Sequence, residues 1–290
     1  MSGIHVAKRP LTALTVLAAQ VAWAGYRRDL PTLSNQETSG VFGDPSNPRL
    51  RIVMLGDSTV TSPGVDPLNA AWPRRLAIGL SGSRFIEMHS VAVGGSKAKD
   101  VLADQLHRAI NLEPDICIVS VGGNDALRGT PLVQFERDFS AILSLLTTHV
   151  RHIAVSGVGD LGSIPRLPAL ARTIARVRAR SFDRAIRRAA GPFREVVKTD
   201  TWSPGWNEFN TNPEAIFGAD QFHASAYGHR IYAAAMMPAV ETLIGRLEAE
   251  TESGLGERDR LRAPERTSRI ISVIVPTAPA LYPPGTMMSA

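Results

Sequence analysis

Residues Arg51–Val60, RIVMLGDSTV, decide the fold of this chain. Ile52, Val53, Met54 and Leu55 form a short apolar run that reads as a strand buried on both faces. Gly56 stops the run, and an acid and two hydroxyls follow it: Asp57, Ser58 and Thr59. A serine presented where a buried strand ends has three ordinary explanations: a nucleophile, a helix cap, or part of a phosphate cradle. The remainder of the sequence separates them.

Working outward from that strand, apolar runs recur at Phe85–Ser90, Ile116–Val121, Ile153–Val158 and Phe193–Val197, and each reads as a strand. Between and after them lie segments with helical periodicity, near Trp72–Leu80, Ala98–Asn111, Leu132–Thr148, Leu167–Ala190 and Ala226–Ala249. Alternating strands and helices predict a parallel sheet with helices on both faces, because each crossover helix must bury its apolar stripe against the sheet. Ligands of such sheets bind outside the C-terminal ends of the strands. The ends of the predicted strands are therefore the places to search.

Chemistry-bearing residues gather there. The first strand ends in Gly56, Asp57 and Ser58; the second leads into SVAVGGSKAKD, with Gly94 and Gly95 ahead of a helix; the third ends in VGGNDAL, with Asn124 and Asp125 at its tip. Past the fifth strand a loop with Trp202, Trp206, Phe209 and Phe217, expected either to form part of an acyl or alcohol pocket or to pin a long loop to the core, leads to ADQFHASAYGHRIYA. Acyl transfer by a serine needs a base, a group that orients the base, and donors for the oxyanion. Ser58 is placed to attack, and Asp220 lies three residues before His223, a spacing at which one turn of chain brings the carboxylate to Nδ1 and leaves Nε2 for the serine. The amides of Ser58 and Gly95 and the side chain of Asn124 are candidates to surround the oxyanion. Asp57 and Asp125 read as groups that brace their loops. Asp104 and His107 share the D-x-x-H spacing but fall in mid-helix, where they are expected to be a surface pair.

GDST, GGSKAKDVL, GGND and DQFHASAYGH, in that order, resemble the blocks of the SGNH hydrolases, also called the GDSL esterase and lipase family. The resemblance spans about residues 50–249. It implies a flavodoxin-like three-layer α/β/α sandwich with a five-stranded parallel sheet in the order 2-1-3-4-5, and ester hydrolysis through an acyl-enzyme. It further implies Ser58 as nucleophile, Asp220 and His223 as the rest of the triad, and Ser58, Gly95 and Asn124 as the oxyanion hole. Three positions depart from the family's pattern. Thr59 stands for leucine, Ala224 replaces the usual proline after the histidine, and Gly94 and Gly95 are adjacent, of which Gly95 aligns with the helix-leading pattern.

The expected function is a serine-dependent carboxylester hydrolase acting on small or lipid-like acyl esters, with no cofactor and no metal. The rival readings are an acyltransferase or glycan deacetylase using the same site, and a catalytically idle membrane-associated binding module. With 290 residues and 44% hydrophobic content the chain is long enough for a full α/β core. A net charge of +5 without any aromatic-basic motif gives no reason to expect nucleic acid as a partner. Cys117, the single cysteine, lies in the apolar run DICIVSV and reads as a core residue.

The predicted organisation has three parts. Residues 1–49 are an N-terminal apolar segment followed by a lead-in linker, 50–249 the catalytic domain, and 250–290 a charged, Pro-rich tail expected to be mostly disordered. In the first part, LTALTVLAAQVAWAG follows Lys8 and Arg9 and ends in an A-x-A pattern suited to signal cleavage; Gln20, Arg27 and Arg28 argue instead for a helix that stays with the domain or rests on a membrane surface. The compartment is left open between export or membrane association and cytoplasm. Arg172, Arg176, Arg180, Arg184 and Arg188 make a basic stripe along one helix, a solvated face or a contact to an anionic surface.

Overall fold

The computed structural model describes residues 27–202 and 208–253. The N-terminal apolar segment, Trp206 and residues 254–290 of the C-terminal tail lie outside the described residues, while the first residues of that tail continue the last helix to Glu252. Contacts group the chain into two units, Met1–Leu247 and Glu248–Ala290, and the fold below is that of the first.

Six strands form one sheet: β1 (Gly40–Phe42), β2 (Arg49–Gly56), β3 (Phe85–Ser90), β4 (Ile116–Ser120), β5 (Ile153–Val155) and β6 (Val196–Lys198). Their order is β1-β3-β2-β4-β5-β6. Strands β2 to β6 run parallel and reproduce the expected 2-1-3-4-5 arrangement. The helices are α1 (Ser58–Thr61), α2 (Trp72–Leu80), α3 (Ala98–Asp100), α4 (Leu106–Asn111), α5 (Gly123–Leu127), α6 (Leu132–Thr147), α7 (Ala169–Ala190), α8 (Glu208–Thr211), α9 (Pro213–Ile216) and α10 (Ala226–Glu252). Among the described residues no helix is long and apolar enough to cross a membrane.

The period of two in β2 builds the layers. Val53 and Leu55 face a cluster with Leu106, Phe135, Phe139, Ile142, Phe182 and Ile186, contributed by α4, α6 and α7. Ile52 and Met54 face the opposite cluster, with Trp72, Leu76, Met236, Val240 and Leu243 from α2 and α10. All four β2 side chains are fully buried, which is why the run shows no polar alternation. Cys117 is likewise a fully buried core residue on β4.

Three expectations are corrected. The stretch 26–49, read as a lead-in linker, contains the edge strand β1, paired antiparallel with β3 through Gly40↔Met88 and Phe42↔Ile86. Its preceding residues bind the turn that carries Ser58: Gln36 Nε2 donates to the carbonyls of Ser62 and Val65, and Thr61 Oγ1 donates to Asn35 Oδ1. The run 153–158 is a strand only to Val155; the Ser156 amide still donates to the Val119 carbonyl at 2.9 Å, and Ser156, Gly157 and Val158 line the cleft at the strand end. The predicted helix 98–111 is not uniform. A π-helical turn, Val101–Gln105, separates α3 from α4.

Candidate active site

Ser58 is the first residue of α1, immediately beyond β2. Gly56 makes the approach possible. Its φ is +155°, and a Cβ there would lie 2.1 Å from the Ser120 carbonyl oxygen, so no other residue fits. Asp57 caps α1, its Oδ1 accepting the Thr59 amide at 2.9 Å. The Trp72 indole N–H donates to the Thr59 carbonyl at 2.6 Å, and the Thr59 and Ser120 hydroxyls are 2.9 Å apart. Threonine at this position thus has a polar partner on β4 that leucine would leave unpaired.

Asp57 is only 2% exposed. Burial pushes its carboxyl up from 3.8 to about 6; the hydrogen bonds from Thr59 oppose the shift and the nearby Asp125 charge adds to it. Asp125 in turn accepts the Ala98 amide at 2.9 Å, tying the tip of β4 to the start of α3.

His223 is carried by a small hairpin. Phe217 and Ala224 form an antiparallel bridge, the Gly218 amide donates to the His223 carbonyl at 2.8 Å, and the Ser225 amide donates to the Ile216 carbonyl at 2.7 Å. Backbone pairing therefore supplies the rigidity that a proline at Ala224 would otherwise contribute. Asp220 Oδ1 accepts the amides of Phe222 and His223, each at 3.0 Å, and Oδ2 lies 2.6 Å from His223 Nδ1. Burial alone would raise the Asp220 carboxyl, but its bonds from His223 and the two amides outweigh burial and hold it below the usual carboxylate range. Phe222 stands edge-on to the imidazole, with ring centres 5.0 Å apart.

Ser58 and His223 line one cleft without a hydrogen bond between them. In ligand-free sites that bond is commonly long and closes when substrate binds. Asn124, on α5, lines the same cleft. Its carboxamide nitrogen donates to the Ser96 carbonyl at 3.1 Å and to Asp57 Oδ2 at 3.3 Å, so both of its hydrogens are engaged. An oxyanion would have to displace one of them.

Gly95 is not among the cleft-lining residues, but it adjoins Ser96, whose carbonyl Asn124 reaches. The two glycines there differ in their surroundings. A Cβ on Gly94 would fall 2.1 Å from Asn35 Oδ1 and would displace that side chain; Gly95 has φ +83° and open space out to the Arg128 guanidinium at 3.6 Å. Asp104 and His107 are both exposed, on the π turn and α4, and contribute nothing to the cleft.

The cleft has a volume of about 110 Å³. Leu127, Val158, Leu161, Ile164, Phe209, Phe217 and Phe222 give it apolar walls. Trp202 instead packs on the core, its indole N–H donating to the Val158 carbonyl at 3.1 Å. Among the lining residues that the sequence reading did not single out are His229 and Tyr232, three apart on α10. The Trp72 amide donates to His229 Nδ1 at 3.2 Å, and burial pushes this imidazole down to about 3, so it stays neutral. Nothing local in the sequence marks this role, because the contact that fixes His229 comes from Trp72, far away in the chain. Among the described residues no group of three or more His, Cys, Asp and Glu is arranged to hold a metal ion. Along the arginine stripe, Arg176 pairs with Asp160 at 2.8 Å, Arg188 pairs with Glu136 at 2.7 Å, and Arg180 stacks over Trp202.

Comparison with known proteins bears on family and fold. The model of the GDSL-like lipase/acylhydrolase family matches residues 54–231. The chain is 26% identical over 192 residues to the GDSL-like esterase Rv1075c of Mycobacterium tuberculosis, a match covering 63% of this chain and 59% of that protein. Among solved structures it resembles TesA, with TM-score 0.54 at 18% identity over 67% of this chain and 99% of that one. It also resembles Axe2, an acetylxylan esterase from Geobacillus stearothermophilus, with TM-score 0.52 at 16% identity over 67% of this chain and 95% of the other. At these identities the structural likenesses show the fold.

Proposed function

We propose that this chain, which belongs to the GDSL-like lipase/acylhydrolase family, is a serine-dependent carboxylester hydrolase of short acyl esters, with Ser58 as nucleophile, His223 as base and Asp220 as the group that orients it. The observation that carries the reading is the Asp220–His223 pair, 2.6 Å apart at Nδ1, opening onto the cleft that Ser58 also lines.

With Nδ1–H held by the carboxylate, the neutral imidazole has its Nε2 lone pair free to take the Ser58 proton. Ser58 Oγ attacks the ester carbonyl, and the carbonyl π electrons move to oxygen. The Ser58 amide, first in α1, has no partner within the helix and is available to this oxyanion. The Gly95 amide and the Asn124 carboxamide complete the set. Collapse of the tetrahedral adduct expels the alcohol, which receives the proton from Nε2. Water, deprotonated by the same nitrogen, then attacks the acyl-enzyme, and release of the acid returns the proton to Ser58.

The size of the cleft limits the acyl group. A cavity of about 150 Å³ accepts benzene, and this cleft is smaller at about 110 Å³. Acyl chains of about two to four carbons fit within it, and longer ones must leave by the open side. A nitrophenyl ester series from acetate to laurate tests both parts of the proposal. Hydrolysis should be fastest at acetate to butyrate and should vanish in Ser58→Ala. Retention of a tenth of wild-type turnover in that variant would refute the serine mechanism; a maximum at laurate would refute the acyl-length assignment.

A further inference from the structure

Gln105 is fully buried, on the helix stripe that otherwise carries Ala98, Val101, Leu106 and Ala109 into the apolar core. A carboxamide in such a place costs free energy unless every polar atom is paired. Here the pairing is directed at the catalytic strand end. Gln105 Oε1 accepts the Gly56 amide at 2.8 Å, and Nε2 donates to the Gly56 carbonyl at 2.9 Å and to Ser96 Oγ at 3.1 Å. Gly56 lies two residues before Ser58, and Ser96 follows Gly95. One side chain therefore grips both loops from which the backbone oxyanion donors come.

The π turn Val101–Gln105 ends at this residue, and its wide winding is a local irregularity of the kind found at functional sites. The neighbouring bonds act in the same direction. The Val93 amide donates to the Gly56 carbonyl at 3.2 Å, and Asn124 reaches the Ser96 carbonyl at 3.1 Å. Strand β2 ends at Gly56, one further backbone bond runs from the Asp57 amide to the Ser120 carbonyl at 3.3 Å, and the Gln105 side chain links this strand end to the loop that follows Gly95.

We propose that Gln105 is a positioning residue for the oxyanion hole, fixing the distance between the Ser58 and Gly95 amides through its bonds to Gly56 and Ser96. The proposal rests on the reading of Ser58 as nucleophile. A donor pair displaced by a fraction of an ångström should slow the step in which charge develops on oxygen while leaving ground-state binding nearly intact, and displacements of about 1 Å cost about 100-fold. Gln105→Glu keeps the shape but not the full set of donated bonds, since the carboxyl donates one when burial protonates it and none when ionised. Gln105→Met keeps the length and suits a buried site, so it serves if the glutamate variant does not fold.

The test is a burst titration with a fluorophosphonate, followed by steady-state kinetics on the shortest good ester and a thermal melt. Wild type and variants should each show about one labelled serine per chain. Turnover per labelled site should fall about 10–100-fold in the variants, with KM changed less than about threefold. Turnover per site within twofold of wild type, whatever the loss in Tm, would overturn the proposal and leave Gln105 a structural residue. Absence of labelling in the wild type would overturn the reading of Ser58 itself, and the two failures are thereby distinguished.

Discussion

At the scale of single residues, the site depends on how many bonds each polar atom already has. Asn124 engages both carboxamide hydrogens, one with the Ser96 carbonyl at 3.1 Å and one with Asp57 at 3.3 Å, and an oxyanion would have to displace one of them. Asn124→Ala should lower kcat by about 10²–10³ with a smaller change in KM, because the exchanged bond strengthens only as charge builds on oxygen. Steady-state kinetics on one short ester checks this, and an effect confined to KM would make Asn124 a substrate clamp. Asp57 gives a second prediction. Its folded-state carboxyl titrates near 6 against an ordinary 3.8, chiefly through burial. Between those values the folded protein holds a proton that the unfolded chain releases, so this group's contribution is fully present below about pH 4 and is lost as pH rises through 6, a change of roughly 3 kcal/mol. Asp57→Asn carries no such charge. Its loss of Tm between pH 4 and pH 7 should be smaller than that of the wild type, and identical slopes would contradict the assignment.

At the scale of elements, the site is assembled from the ends of parallel strands and one hairpin, and this explains what the sequence could reveal. Ser58, Gly95 and Asn124 are legible as strand-end residues because a parallel sheet brings successive C-terminal ends to one edge, and of the three Ser58 and Asn124 line the cleft. Asp220 and His223 were found from spacing, since three residues of chain limit where a carboxylate can meet an imidazole. Spacing alone misleads, however, as the exposed pair Asp104 and His107 shows. His223→Ala should reduce kcat by several orders of magnitude, whereas His107→Ala should alter it less than about threefold; comparable losses in the two would undo the distinction. The sequence concealed contacts made by groups far apart in the chain. His229 receives the Trp72 amide across 157 positions, and Gln105 reaches Gly56 across 49. No local pattern marks either one. Strand β1 escaped because three residues at a sheet edge, one of them glycine, carry almost no periodicity.

At the scale of the whole molecule, the two apolar layers hold the strand ends in register, so core packing and catalysis are linked through a few shared atoms. Phe135 is the clearest case. It is fully buried, its ring lies 4.6 Å from that of Phe182 between centres, and it closes on Gly122, where a Cβ would come within 3.1 Å. Phe135→Ala should destabilise the protein by about 3–5 kcal/mol, read by urea unfolding, through lost burial and the cavity left behind. A loss below 1 kcal/mol would mean that the layer repacks freely around the tip of β4. The central claim, that this fold presents Ser58 as a nucleophile activated by His223 and Asp220, is tested most directly by mass spectrometry of the protein after exposure to a fluorophosphonate. The claim predicts a single adduct that maps to the peptide containing Ser58, forms in wild type, and is lost in Ser58→Ala and greatly slowed in His223→Ala. An adduct on another residue, or none under conditions where esters are hydrolysed, would contradict it.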